Sequence, residues 1–350
     1  MRGIFFLIIL LNTGVVRAQY YSEKESPFSF EGYAEVYYSY DFNRPDDHLR
    51  PDVLFNFKRH NEFSVNHTFI KVAYKQERVR SNLALMAGTY SQFNLAEEPP
   101  WAQMLYEASV GVRLLEKMWL DVGIMPSHIG FESAEGIDCW HLSRSLLAEN
   151  SPYFLTGARL TYHADDKLDL TFWLTNGWQN VQRINRNQSI GIGLGINHRP
   201  IEGLTINYSN YYGNEFPQNL YLARFFNNFY AQYVWGNWGV TIGADHGVEA
   251  SLGTEINKWT GLTASLKRDL SPTFTLAGRA EYYTDPKGVI LVEGMKVSGL
   301  SLNLDYKIQP NVLARIEGRQ LFSPEPVFDL PAGLSSTGNF AMTMALAVRF

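Results

Sequence analysis

Phe340-Ala-Met-Thr-Met-Ala-Leu-Ala-Val-Arg-Phe350 alternates strictly for eleven residues. Phe340, Met342, Met344, Leu346, Val348 and Phe350 fall on one face, and Ala341, Thr343, Ala345, Ala347 and Arg349 on the other. A period of two is the signature of a strand whose two faces meet different surroundings. The same rhythm recurs upstream, most clearly at Phe28–Tyr40, Gln103–Leu115, Met118–Met125, Phe154–Tyr162, Leu168–Asn176, Ile190–His198, Leu204–Tyr212, Phe229–Trp235, Trp238–His246, Phe274–Tyr282 and Ser298–Tyr306. Weaker strands are expected at Phe63–Tyr74, Leu83–Tyr90, Thr260–Leu266 and Val312–Leu321. Every second link between these segments is short, such as Gln76 to Arg78, Glu116-Lys117, Gly236-Asn237 and Ile308 to Pro310. The intervening links are long: Asp41–Asn61, Ser91–Ala102, Pro126–Tyr153, Gly177–Ser189, Gly213–Asn228, Gly247–Trp259, Thr284–Val297 and Phe322–Gly338. A soluble sandwich has no reason to alternate this strictly, whereas a barrel with tight turns on one rim and long loops on the other does.

The two ends agree with that reading. Arg2, the apolar run Ile4 to Leu11 and the small residues Val16 and Ala18 read as a secretory signal, residues 1–18, cut after Ala18. The run falls short of the roughly 20 apolar residues a spanning helix needs, which argues against the alternative of a membrane anchor. Residues 19–350 are then one barrel domain, and loss of Arg2 and Arg17 moves the net charge from −5 to −7. An acidic exported chain is electrostatically a poor partner for nucleic acid. Cys139 is the only cysteine, so no disulfide forms within the chain.

Aromatic residues make up 14% of the chain, yet its mean hydropathy is −0.19. Alternation of lipid-facing and water-facing residues produces that combination. No apolar stretch after Ala18 is long enough for a membrane helix. In lipid, where each backbone donor and acceptor must be paired, only helices and closed barrels survive. The expected fold is therefore all-β, a closed antiparallel transmembrane β-barrel of about sixteen strands (14–18) with short periplasmic turns and long extracellular loops. Tyr37, Tyr38, Tyr40, Trp101, Trp119, Trp173, Trp178, Trp235, Trp238 and Trp259, with Tyr20 and Tyr21, are expected in aromatic girdles at the lipid boundaries. In Ile190-Gly-Ile-Gly-Leu-Gly-Ile196 one face is aliphatic and the other glycine, which fits lipid on one side and a roomy lumen on the other.

Ionisable residues recur on the face opposite the lipid. Glu107, Arg113, Arg159, Arg279, Glu281, Arg315, Glu317 and Arg319 are the pore-lining candidates. Unpaired burial of such groups costs several kcal/mol each, so they are expected in the water of a lumen, or else stitched into a plugged interior by salt bridges. The longest link, Pro126–Tyr153, follows the fifth strand. By analogy with well-known sixteen-stranded porins it folds inward, making Glu132, Glu135, Asp138 and Arg144 constriction candidates; the alternative is a surface loop with a short helix. Ser127, Ser143, His128 and His141 raise a hydrolase reading, but no Gly-x-Ser-x-Gly surrounds either serine. No catalytic residue, cofactor site or metal-ligand spacing is identified; Gly191-x-Gly-x-Gly195 lies inside an alternating strand, not in a phosphate loop.

A chain ending mid-strand on an aromatic resembles the terminal signature of bacterial outer-membrane barrels. More specifically, Gly123-Ile-Met-Pro-Ser-His-Ile-Gly-Phe131, Ser143-Arg-Ser-Leu-Leu147, Pro152-Tyr-Phe-Leu-Thr-Gly-Ala-Arg-Leu-Thr-Tyr162, Asn176-Gly-Trp-Gln179 and Glu281-Tyr-Tyr-Thr-Asp-Pro286 resemble the OmpL-like putative β-barrel porin family. The resemblance implies an outer-membrane protein of a bacterium and brings no assigned substrate. The expected function is a porin-type channel for passive diffusion of small hydrophilic solutes or ions, with outer-membrane lipid as its surroundings. A homotrimer is the habit of sixteen-stranded porins. The rival readings are a plugged structural or adhesive barrel presenting its long loops to partners, and a membrane-embedded hydrolase.

Overall fold

The computed structural model describes residues 26–291 and 293–350; the expected leader, residues 1–18, lies outside the described residues, as do Tyr20 and Tyr21. Sixteen antiparallel strands close on themselves. In chain order they are β1 (Phe28–Asp41), β2 (Phe63–Lys75), β3 (Val79–Ala87), β4 (Leu105–Leu115), β5 (Met118–Pro126), β6 (Phe154–His163), β7 (Leu168–Thr175) and β8 (Gly191–His198). They continue as β9 (Leu204–Asn214), β10 (Ala223–Trp235), β11 (Trp238–Ala250), β12 (Ile256–Asp269), β13 (Phe274–Asp285), β14 (Met295–Gln309) and β15 (Val312–Phe322). A small hairpin of β16 (Phe328–Leu330) and β17 (Leu334–Ser336) stands in the last long loop, and β18 (Gly338–Arg349) completes the wall. β18 pairs with β15 on one side and with β1 on the other, from Tyr33 opposite Arg349 to Asp41 opposite Ala341. That single pairing removes both sheet edges, so no ladder group is left facing lipid.

The alternation in sequence becomes alternation in space. Along β18 the even-numbered Phe340, Met342, Met344 and Leu346 are exposed on the outer wall, while Ala341, Thr343 and Ala345 are buried inside. Aromatic pairs mark both boundaries of the outer wall. Phe28 with Tyr74, Phe274 with Tyr306 and Tyr233 with Trp235 stand by the short turns, at centroid distances of 4.9–5.1 Å. Tyr38 with Phe63 and Phe42 with Phe340 stand by the long loops, both at 5.1 Å. Tyr37, Trp119, Trp173 and Trp259 are not in these girdles. Their position on the strand turns them inward, and each is almost wholly buried in the barrel.

Several strand boundaries differ from the sequence reading. The expected strand Leu83–Tyr90 is β3 shifted toward its turn, because Gly88 at φ 128° breaks it and Thr89–Asn94 forms a helix, α1. The expected start of β4 at Gln103 belongs to a second short helix, α2 (Pro100–Gln103). The links Gly213–Asn228 and Gly247–Trp259 are much shorter than expected, since β9 to β12 extend beyond the alternating core. There the inner face carries polar pairs such as Arg224 opposite Glu249, both buried in the barrel, while the outward Phe225 opposes Val248. Polar residues facing inward dilute the hydropathy signal there without ending the ladder.

The outer wall sets a clear expectation. Leu302, at the middle of β14 and 59% exposed, meets the centre of the apolar band. Leu302→Lys should cost about 2–4 kcal/mol of folding free energy, measured by reversible refolding into lipid vesicles. Thr171→Lys, on the inner face of β7, should cost far less.

Candidate functional site

The segment between β5 and β6, residues 127–153, crosses the interior of the barrel and divides it unequally. Its path is held by side chains that the sequence placed on the inner face. Arg315 donates to the carbonyls of Gly136 and Cys139 at 2.7 and 2.8 Å while pairing with Asp305 at 2.7 Å. Glu317 accepts from the amide and hydroxyl of Ser143, both at 2.6 Å. Arg279 donates to the Ser143 carbonyl at 2.8 Å, and Arg319 to that of Arg144 at 3.0 Å. Glu281 accepts the Leu146 amide at 2.7 Å and pairs with Arg319, also at 2.7 Å. Leu146 opens α3 (Leu146–Glu149), a single turn capped by the Ser145 hydroxyl.

Arg279, Glu281, Arg315, Glu317 and Arg319 therefore face inward but do not lie in open water. All five are buried beneath the inward segment. The desolvation cost is offset because each guanidinium meets carboxylates and backbone carbonyls, and each carboxylate meets arginines and amides. The sequence spacing showed charges two apart on one face; it could not show that a distant segment supplies their partners.

The constriction candidates divide similarly. Arg144 is wholly buried, its guanidinium bound to the carbonyls of Ser133, Leu142 and Ala134 at 2.7–3.0 Å, so it shapes the segment and does not stand in an eyelet. Glu132 turns back to the amide and hydroxyl of Ser145 and lies 3.6 Å from Arg279. Glu135 and Asp138 reach the turn-side rim, each 2.5 Å from Arg349. The Cys139 thiol between them is held protonated, pushed up to about 11 by burial.

Two large apolar clusters fill much of the interior, the first at the loop side and the second running from the loop side down to Tyr33 beside the last strand's end. One gathers Val53, Leu54, Tyr211, Phe226, Trp259 and Tyr283, and the other Tyr33, Phe69, Met86, Tyr90, Phe154 and Val181. The first extracellular loop closes over the inward segment, where Glu149 accepts the amides of Phe55 and Asn56 at 2.8 and 3.1 Å. The glycine face of β8 is filled too. His128 lies against Gly193 and Gly195, where a Cβ would crowd its ring, stacks on Trp173 at 5.8 Å, and donates from Nε2 to the Asn210 carbonyl at 3.0 Å. Burial drives its pKa down to about 4, which keeps the ring neutral. The glycines make a seat for His128, not the roomy hollow expected.

Open space remains on the turn-side half of the β3–β10 wall, and a smaller cavity of about 250 Å³ lies across the segment between Asp138, Trp140, Lys267 and Asp305. At the β3–β10 wall a cavity of about 380 Å³ lies between the inward segment at Ser127, His128 and Gly130 and the wall at Arg80, Arg159, His163, Asp169, Asn197 and Tyr230. Arg80 reaches it by crossing β4 over Gly111, where any Cβ would overlap its side chain, to grip Asp121 at 2.5 and 2.6 Å. Arg159 meets the same carboxylate at 3.2 Å. Arg199 pairs with Asp169 at 2.6 Å, and Lys71 with the buried Glu107, also at 2.6 Å. Arg113 lies over Trp119 at 5.3 Å and forms no ion pair among the described residues. Arg80 is a cavity residue that the pore-lining candidates omitted, because its bridge across Gly111 to the buried Asp121 left no linear signal.

Ser127, Ser143, His128 and His141 make no hydrogen bond with one another. The Ser143 hydroxyl is bound to Glu317, and His141 Nε2 meets Ser265 at 2.6 Å. Its Nδ1 has no partner among the described residues. Nor do the described residues gather three His, Cys, Asp or Glu into a metal-binding group.

This arrangement of a sixteen-stranded wall, short turns and an inward segment after the fifth strand has counterparts. The sequence pattern of the family described as putative beta-barrel porin-2, OmpL-like, matches residues 27–350. The chain belongs to that family. It is a porin-type channel protein of the outer membrane. Among solved structures, its fold is similar to an anion-selective porin from Comamonas acidovorans, with a TM-score of 0.62 at 8% identity over 93% of this chain and 100% of that one. The outer membrane channel DcaP of Acinetobacter baumannii gives 0.61 at 10% identity over 95% and 100%. The trimer form of OmpT from Vibrio cholerae gives 0.59 at 8% identity over 92% and 99%. No curated protein sequence matches the chain.

The docking of the inward segment is open to test through its own cysteine. Glu317→Gln leaves Arg279 and Arg319 with excess buried charge and weakens the bonds to Ser143. Losing one partner of such a network costs about 3–5 kcal/mol. Cys139 should then react with a water-soluble maleimide at least about tenfold faster than in the unaltered protein, read by mass spectrometry of the folded barrel.

Proposed function

We propose that this porin-type protein passes small hydrophilic solutes by diffusion along the crescent between the inward segment and the β3–β10 wall, through a narrow and mostly closed path. The asymmetry of the interior carries this reading. Charged side chains of β13 and β15 are sealed beneath the segment, whereas Arg80, Arg159, Asp169 and Arg199 keep about a fifth to a third or more of their side chains exposed. Water-filled space in a membrane barrel that is lined by half-hydrated charges is what solute passage requires. Export by cleavage after Ala18 and assembly as a homotrimer belong to the same proposal, the latter supported by the trimer form among structures of similar fold.

The apolar clusters of the interior favour a second reading, in which the barrel is plugged and its long loops serve partners. Single-channel recording of the refolded protein in a planar bilayer separates the two. Small discrete conductance steps are expected from the unaltered chain, and steps several-fold larger after deletion of residues 132–148. Silence from the unaltered protein together with conductance from the deletion variant would establish the plug.

A further inference from the structure

The open cavity has an uneven charge balance, and its geometry points to a ligand. On the wall formed by β3 to β6, Arg80 and Arg159 face one carboxylate, Asp121, and Arg113 stands over the same Trp119 ring as Arg80. Their guanidinium planes are propped by aromatic rings: Arg80 at 4.3 Å and Arg113 at 5.3 Å from the Trp119 centroid, and Arg159 at 5.4 Å from that of Trp173. Rings that hold guanidinium faces leave the N–H edges directed elsewhere and reduce the freedom lost when an oxyanion arrives. Neighbouring charges cancel in pairs, Arg199 with Asp169 and Lys71 with Glu107. The segment's own contribution to the cavity is Ser127, His128 and Gly130, which brings no carboxylate. Arg80 and Arg159, the arginines that line the cavity, thus share a single carboxylate.

We propose that this arginine group is a binding station for small oxyanions, solutes carrying a phosphate or carboxylate, on the periplasmic side of the inward segment. It lies near the turn-side rim, since His163 ends β6 and Asp169 stands second in β7. A forked guanidinium matches an oxyanion with two parallel hydrogen bonds, and two of them lining about 380 Å³ suit a group of that size. The proposal names a solute class for the passage inferred above and rests on that reading for its physiological role, but binding itself does not require conduction.

The test uses the full mature chain, refolded in detergent, with inorganic phosphate as the probe in isothermal titration calorimetry at low and high salt. Phosphate should bind, weakening as salt rises. Arg159→Gln should lower its affinity about tenfold while leaving the barrel folded, because Arg80 still holds Asp121 at 2.5 and 2.6 Å. Asp121→Asn should change it in the opposite direction, by freeing Arg80 and Arg159 from their anion. Absence of binding to the folded unaltered protein, or equal affinity in all three proteins, overturns the proposal. Parallel bilayer recordings keep the two readings apart. A silent barrel that binds phosphate refutes passage and retains the station, whereas a conducting barrel indifferent to phosphate does the reverse.

Discussion

A backbone in lipid has no water with which to pair its amides and carbonyls, and every other feature of this chain answers to that constraint. Each unpaired group would cost several kcal/mol, so the wall must close, and β18 meeting β1 closes it. Closure with antiparallel neighbours requires an even number of strands and brings both described ends to the turn side. It also assigns each residue a face by parity alone. Lipid takes the even-numbered residues of β18, and the odd-numbered ones must be accommodated inside, whatever they are.

The interior meets that second demand much as a soluble protein would. Apolar inward residues gather in two clusters, and charged ones are paired or bonded to the backbone of the inward segment. The segment is the means by which the barrel satisfies its own lining. It supplies amides to Glu281 and Glu317 and carbonyls to Arg279, Arg315 and Arg319. One consequence is functional: wall that is covered cannot conduct, so the space available to a solute is confined to the wall that the segment leaves bare.

The outer wall was legible in sequence because lipid imposes one rule along its whole height. The alternation in Phe340–Phe350 and the tight links such as Gly236-Asn237 translate directly into strand and turn. Legibility ended where the rule ended. The loop-side ends of β9 to β12 carry inward charges that dilute the hydropathy pattern, and Trp119, Trp173 and Trp259, whose type suggested a girdle, are placed by parity in the interior. Inside, the inner face of Arg279 or Glu317 was readable, but not its burial, since its partners lie more than a hundred residues away in sequence.

Glycine shows why the interior resists linear reading. A missing side chain on an inner face is an instruction to a neighbour, and its meaning depends on which neighbour is in reach. On β8 the three glycines receive the His128 ring and the Tyr211 side chain, and the space is filled. On β4 Gly111 lets Arg80 cross to Asp121, which draws a cation from β3 into the open cavity. The same residue type thus seals the lumen at one place and sets its charge at another. A barrel's selectivity depends on these permitted crossings as well as on the charges themselves, because a guanidinium contributes to the field in a lumen only where its side chain has room to reach.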